Sequence, residues 1–154
     1  MIELVKANLN DISDMQKLIE DKVKEGIILK REDDEVATNI RSYILAKDNK
    51  KIIGYGALHI HSPSLAEIRS LIIEQEYQGL GIGKRVVKFA LEEASKLGVK
   101  KVLVLTYVAK FFEQLSFSEI PKESIPEHKI WADCINCIHF PICNEKSLIY
   151  IVKE

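Results

Sequence analysis

The chain has 154 residues, 47% of them apolar and 29% charged, with 22 Lys and Arg against 23 Asp and Glu. That length closes a core without staples, and the even charge lacks the basic surplus or stripe of a nucleic-acid binder. No apolar run approaches the roughly 18–20 residues that span a bilayer, the first residues lack the basic-then-apolar build of a signal peptide, and three cysteines between residues 134 and 143 make no secreted disulfide framework. One domain over residues 1–154 is expected, in the cytoplasm, with neither nucleic acid nor membrane as partner; a homodimer is open.

In chain order, residues 2–7 read as a strand. Ser13 and Gln16 form a capping-box pattern ahead of a helix whose apolar stripe is Met15, Leu18, Ile19 and Val23, stopping at Gly26. A second helix is expected over 33–41. Strands at 43–46 and 52–60 are joined by the polar stretch Lys47-Asp48-Asn49-Lys50-Lys51, and Ser62-Pro63-Ser64 turns the chain into a third strand, 65–73. The clearest helix is 82–97, with Ile82, Val86, Phe89, Ala90, Ala94 and Leu97 on one face and Gly98 as its C-cap. Residues 101–106 form a continuous apolar run, as expected of a strand covered on both sides. A short helix at 110–115 and a strand at 117–120 follow. Residues 121–146 are irregular by pattern, and 147–152 close as a strand. The order β-α-α-β-β-β-α-β-α-β-β predicts an α/β chain, a mixed sheet with helices on both faces.

The strongest chemical signal is Gln78-Gly79-Leu80-Gly81-Ile82-Gly83, between a strand and a long helix. Glycines let backbone approach a ligand, and a helix start offers unpaired N–H groups to an anion. A dinucleotide site would need Gly-x-Gly-x-x-Gly early in a βαβ repeat; here the spacing is Gln-x-x-Gly-x-Gly after an antiparallel meander. Lys84 and Arg85 fall in the first helical turn, where the dipole disfavours cations by about 0.3–1 kcal/mol each. A bound pyrophosphate would reverse that sign.

Glu67 and Arg69 stand two apart on the third strand and so project from one face. A buried charge must be paired, so the two are either a structural ion pair or part of a reaction centre. By residue type, Glu67 is a candidate proton acceptor, backbone N–H groups near Ile72 and Ile73 are candidate donors to a developing anion, and the hydroxyls of Thr106 and Tyr107 are candidate proton donors.

The glycine segment resembles the coenzyme-binding core of the GNAT superfamily of N-acetyltransferases, whose pattern is Gln/Arg-x-x-Gly-x-Gly/Ala. The resemblance covers most of the chain. It implies the acyl-CoA N-acyltransferase fold and acetyl-CoA as co-substrate. It further implies a pantetheine arm along Leu71, Ile72 and Ile73, and a pyrophosphate wrapped by Gln78, Gly79, Leu80, Gly81, Ile82, Gly83 and Lys84. Phe112 stands where many members carry a tyrosine that protonates the thiolate; it would contact the coenzyme without supplying a proton. The set Glu67-Ile68-Arg69-Ser70-Leu71, Leu105-Thr106-Tyr107, Phe111-Phe112-Glu113 and Lys129-Ile130-Trp131-x-Asp133-Cys134-x-x-Cys137 looks like the short, stand-alone N-acetylglutamate synthases of arginine biosynthesis. That closer likeness implies L-glutamate as acceptor, Glu67 as base, Thr106 as hydroxyl donor and backbone near Arg69 and Ser70 against the substrate. A dicarboxylate needs cations: Arg69 first, then Arg31, Arg41 and Lys129. Another small amine, a peptide or protein amine, or a non-catalytic thioester-sensing role are the competing readings.

Cys134-x-x-Cys137-x5-Cys143, with His139 inside and His128 upstream, has zinc-like spacing at its first pair. Three thiolates and one imidazole would make a structural zinc site; buried free thiols, or one disulfide with a spare cysteine, are the alternatives.

Overall fold

In the computed structural model, residues 1–28, 30–121, 124–125 and 146–152 are described. Among the described residues, seven strands and four α-helices follow in chain order: β1 (Ile2–Lys6), α1 (Ile12–Lys24), α2 (Asp33–Thr38), β2 (Tyr43–Asp48), β3 (Lys51–Ile60), β4 (Leu65–Ile73), α3 (Ile82–Leu97), β5 (Lys101–Thr106), α4 (Ala109–Glu113), β6 (Ser118–Ile120) and β7 (Lys146–Ile151). The strands make one mixed sheet in the order β1-β2-β3-β4-β5-β7-β6. The chain divides into two compact units, one of Met1–His59 with Ile68–Glu93, the other of Ile60–Glu67 with the described residues from Ala94 onward.

In the first unit β1 and β3 flank β2, both antiparallel to it. Alternation puts Tyr43, Leu45, Tyr55 and Ala57 on one face, where they pack with Met15 and Ile19 of α1 and Val36 of α2. The opposite face meets α3 at a glycine: a Cβ on Gly56 would come within 3.0 Å of Val86 Cγ1 and 3.2 Å of Leu71 Cδ1. The hairpin between β2 and β3 is tighter than the expected five-residue stretch. Asn49 and Lys50 alone turn the chain, with φ of 48° and 76°, the pattern of a type I′ turn.

The cap on α1 differs from the Ser13–Gln16 expectation. The reciprocal box forms one turn earlier, at Asn8 and Asp11 around a 3-10 turn, with Asn8 N–H donating to Asp11 Oδ2 at 2.9 Å. Gln16 instead donates to the Arg31 carbonyl at 2.8 Å and Asp33 Oδ1 at 3.0 Å, latching the segment that enters α2. That helix stops at Thr38 and passes into a 3-10 turn, Ile40–Ser42.

In the second unit β5 and β6 each pair antiparallel with β7, which lies between them, so the last strand is internal. Leu65 and Leu103 are its buried aliphatic centre, with Leu105, Ile120 and Ile149 against them. Phe112 is 2% exposed and packs edge-on with Phe111 and Phe117, ring centres 4.9 and 5.3 Å away. Its ring is buried against these two aromatics. On α3 the expected face holds at Ile82, Val86, Ala90 and Ala94. Leu97, however, is 62% exposed and Val87 is fully buried. Gly98 ends the helix at φ 87°, as a left-handed C-cap should.

Candidate functional site

The glycine loop belongs to the first unit. Where β4 ends, Glu74 N–H donates to the Ile53 carbonyl at 2.8 Å. The 3-10 turn Gln75–Tyr77 follows, pinned by the Tyr77 hydroxyl donating to Asp48 Oδ2 at 2.7 Å. Gln78 folds back, its amide donating to the Ile73 carbonyl at 3.0 Å. Gly79 and Gly81 then both take φ 80°, and a Cβ on either would meet nothing within 4 Å. The glycines are therefore required by backbone conformation, not by crowding within the chain. Arg85 N–H makes the first helical bond, to the Gly81 carbonyl at 3.1 Å, so the amides of Ile82, Gly83 and Lys84 precede the intrahelical ladder. Lys84 is exposed at this end. Arg85 turns elsewhere and donates to the Ile2 carbonyl at 3.2 Å.

The same unit holds a small cleft lined by Arg31, Glu35, Asn39, Ser42, Tyr43, Ala57, His59, Arg69 and Ser70. Two cations from distant parts of the chain thus share one wall. Arg31 Nη1 pairs with Glu35 Oε2. Burial raises the Tyr43 hydroxyl above its usual pKa, and the nearby positive charges of Arg31 and Arg69 oppose that rise. Arg41 is exposed and outside the lining. Ser70 stands at φ 56° in the middle of β4, where a residue with a Cβ is seldom found. Such strain persists only where surroundings enforce it, and it gathers at functional sites. Leu71, Ile72 and Ile73 beyond it are half-buried.

In the second unit Glu67 is 6% exposed. Its Oε1 lies 2.8 Å from His61 Nε2. A carboxylate only accepts, so Nε2 carries the hydrogen. Thr106, at the end of β5, is 8% exposed, and its Oγ1 accepts from Val108 N–H at 3.0 Å. That contact uses a lone pair and leaves the hydroxyl hydrogen available to donate. Tyr107 is half exposed. A larger cleft of about 520 Å³ in this unit is lined by Lys101, Ser116, Ser118, Ile120, Tyr150 and Ile151 among others; none of the expected site residues is among them.

Residues 9–117 match the family model of the GNAT acetyltransferases. The chain belongs to the GNAT acetyltransferase family. It is 37% identical over 143 residues, 93% of this chain and 92% of the other, to an uncharacterized N-acetyltransferase of Chlorobaculum tepidum. An amino-acid acetyltransferase of Mycobacterium tuberculosis is 39% identical over 70 residues, 46% of this chain and 40% of that protein. Among solved structures, the N-acetylglutamate synthase of Neisseria gonorrhoeae, complexed with coenzyme A and N-acetyl-glutamate, superposes with a TM-score of 0.89 at 20% identity. It covers all of this chain but 36% of that one. An M. tuberculosis protein in complex with CoA gives 0.82 at 22% identity, covering 98% and 99% of the two chains. These two likenesses establish the GNAT fold.

As a GNAT acetyltransferase the chain is an acetyl-CoA-dependent enzyme, and the described residues carry its characteristic glycine loop. Arg31, Arg69 and Ser70 come together in one cleft; Glu67 and Thr106 are buried polar side chains of the other unit. Lys129, Cys134, Cys137, His139 and Cys143 lie outside the described residues. Among the described ones no cluster of three metal-ligating side chains occurs, and no helix is long and apolar enough to cross a membrane. Sequence reasoning missed His61, His59, Tyr43, Glu35 and Tyr77. His61 was within reach: a buried strand glutamate needs a partner, and a short turn returns the chain past it.

Proposed function

We propose that this GNAT enzyme transfers the acetyl group of acetyl-CoA to the α-amine of a small dicarboxylic amino acid, most simply L-glutamate. The observation that carries this reading is the pair of guanidinium groups, Arg31 and Arg69, on one cleft. A dicarboxylate presents two anions, and guanidinium groups bind carboxylates by strong, directional hydrogen bonds. The Arg31–Glu35 pair does not oppose it. Both partners are partly exposed, at 25% and 46%, and such pairs are worth about 0–1 kcal/mol.

In the proposed reaction the ammonium group of the acceptor gives a proton to Glu67. The freed amine attacks the thioester carbonyl carbon, and the resulting oxyanion is held by backbone N–H groups near Ile72 and Ile73. The C–S bond then breaks, and the departing thiolate takes a proton relayed through a hydroxyl, for which Thr106 is the buried candidate, while the attacking nitrogen gives up its second proton to that hydroxyl and leaves as the neutral amide. The coenzyme pyrophosphate sits on the loop from Gln78 to Lys84, where amides ahead of the helical ladder supply donors. The gonococcal synthase, whose complex holds coenzyme A and N-acetyl-glutamate, supports the same pairing of substrates.

The test is an acceptor screen that follows thiol release from acetyl-CoA with the twenty amino acids, several amines and a peptide. Glutamate or aspartate should give the highest kcat/KM. Preference for a neutral amino acid, a polyamine or a peptide N-terminus would overturn the acceptor assignment. Thiol release with none of them would favour a binding role.

A further inference from the structure

We propose that His61 is a positioning residue for Glu67: its Nε2–H holds Oε1 and so orients the carboxylate that takes the proton from the acceptor amine. This rests on the reading of Glu67 as the base. The chain between them is short and tied down. β3 ends at Ile60 and β4 begins at Leu65. The Leu65 carbonyl accepts from His61 N–H at 2.9 Å and Ser62 N–H at 3.1 Å. Leu65 N–H in turn donates to Ser62 Oγ at 3.1 Å. The Ser64 carbonyl accepts from both Lys100 and Lys101 N–H, at 3.1 and 3.0 Å. The imidazole is thus carried on a turn anchored to itself and to the start of β5.

The two side chains are 2% and 8% exposed, so water does not compete for their 2.8 Å hydrogen bond. A hydrogen bond to an ionised group is stronger than one between neutral groups. A glutamate carboxylate otherwise turns broadly about its last torsion, which has no sharp staggered wells. With Oε1 held, that torsion is restricted and the carboxylate keeps one orientation. Geometry of this kind governs turnover, since a misplacement of about 1 Å can cost about 100-fold in rate. The competing account is that the imidazole only satisfies a buried charge. It predicts lost stability, and effects on kcat and both KM values together.

Four variants separate these accounts: His61→Leu, His61→Gln, Glu67→Gln and the double variant His61→Leu with Glu67→Gln. His61→Leu should lower kcat roughly tenfold with both KM values unchanged, a modest share of a general base's worth. His61→Gln, whose amide N–H ends near the Nε2 position, should restore most of it. In the Glu67→Gln background His61→Leu should change kcat no further, because the residue acts through that carboxylate. If His61→Leu fails to fold, His61→Asn replaces it, its shorter amide ending near Nδ1 and out of reach of Oε1. Wild-type kcat in His61→Leu or His61→Asn, or equal damage in those and in His61→Gln with rising KM values, would overturn the proposal. Wild-type turnover in Glu67→Gln would remove the base itself, and this inference with it. Loss in Glu67→Gln beside wild-type kcat in the His61 variants would remove this inference alone.

Discussion

The polar groups of the two units differ in how water reaches them. In the first unit Arg31 and Glu35 keep 25% and 46% of their side chains exposed, beside a small cleft. In the second, His61 and Glu67 keep 2% and 8%. An exposed ion pair exchanges partners readily, because solvent and substrate compete on similar terms. A buried one is held, because parting it leaves a desolvated charge. The first arrangement suits recognition of an incoming anion, and the second suits keeping one proton acceptor in one orientation. Binding and proton transfer should therefore be separable by mutation, the first reading out in KM and the second in kcat.

The largest effect should come from Glu67→Gln. Turnover should fall roughly 100-fold or more, the scale of losing a general base, while affinity for acetyl-CoA in calorimetry stays that of the parent. A fall in affinity matching the fall in turnover would erase the contrast between the units.

Next in size is Arg69→Ala. A guanidinium–carboxylate contact contributes about 1.5–3 kcal/mol, so the KM for glutamate should rise roughly tenfold to a hundredfold with the KM for acetyl-CoA unmoved. Arg31→Ala should act in the same direction and less, because Arg31 must first leave Glu35. Equal rises for both substrates would mean damage to β4 instead.

Gly81→Val should weaken acetyl-CoA binding by about tenfold. Its cause is conformational: φ of 80° strains a β-branched residue by about 1–3 kcal/mol, whereas the open space around the position imposes no clash. Gly81→Ala should be milder. Unchanged affinity in a folded Gly81→Val protein would place the pyrophosphate elsewhere.

The smallest effect concerns stability at high pH. Burial raises the hydroxyls of both Tyr43 and Tyr55 above their usual pKa of 10.0. The protonated form is the one the fold prefers, so this stability is complete below pH 10 and is lost as pH rises beyond it. Tyr55→Phe should flatten the alkaline fall of Tm without altering Tm at neutral pH by much. An unaltered alkaline fall would show that other groups cause it.

Reading the sequence was sound where the pattern was long. The ranges of β4, α3 and β5 match expectation residue for residue. A sixteen-residue amphipathic helix or a continuous apolar strand leaves few alternatives. Shorter signals misled. Ser13 and Gln16 have the spacing of a capping box, but Asn8 and Asp11 form it because a 3-10 turn starts the helix earlier. Lys50 at φ 76° was hidden, since lysine is no turn former and only the pairing of β2 with β3 forces it there. Leu97 fits the apolar stripe of α3 yet faces water.

For the site, local chemistry was written in the chain: the glycines at φ 80°, the amides opening α3, and a carboxylate on an apolar strand. These depend on neighbours in sequence, and the residue types declare them. The family followed from the same segment. What the tertiary structure alone decided was partnership. Arg31 and Arg69 meet on one cleft because α2, β3 and β4 converge there. Glu67 meets His61 because the turn at Ser62-Pro63-Ser64 sets the register of β4 against what precedes it. A slip of one residue would turn every side chain of that strand to its other face, and no local pattern encodes the choice.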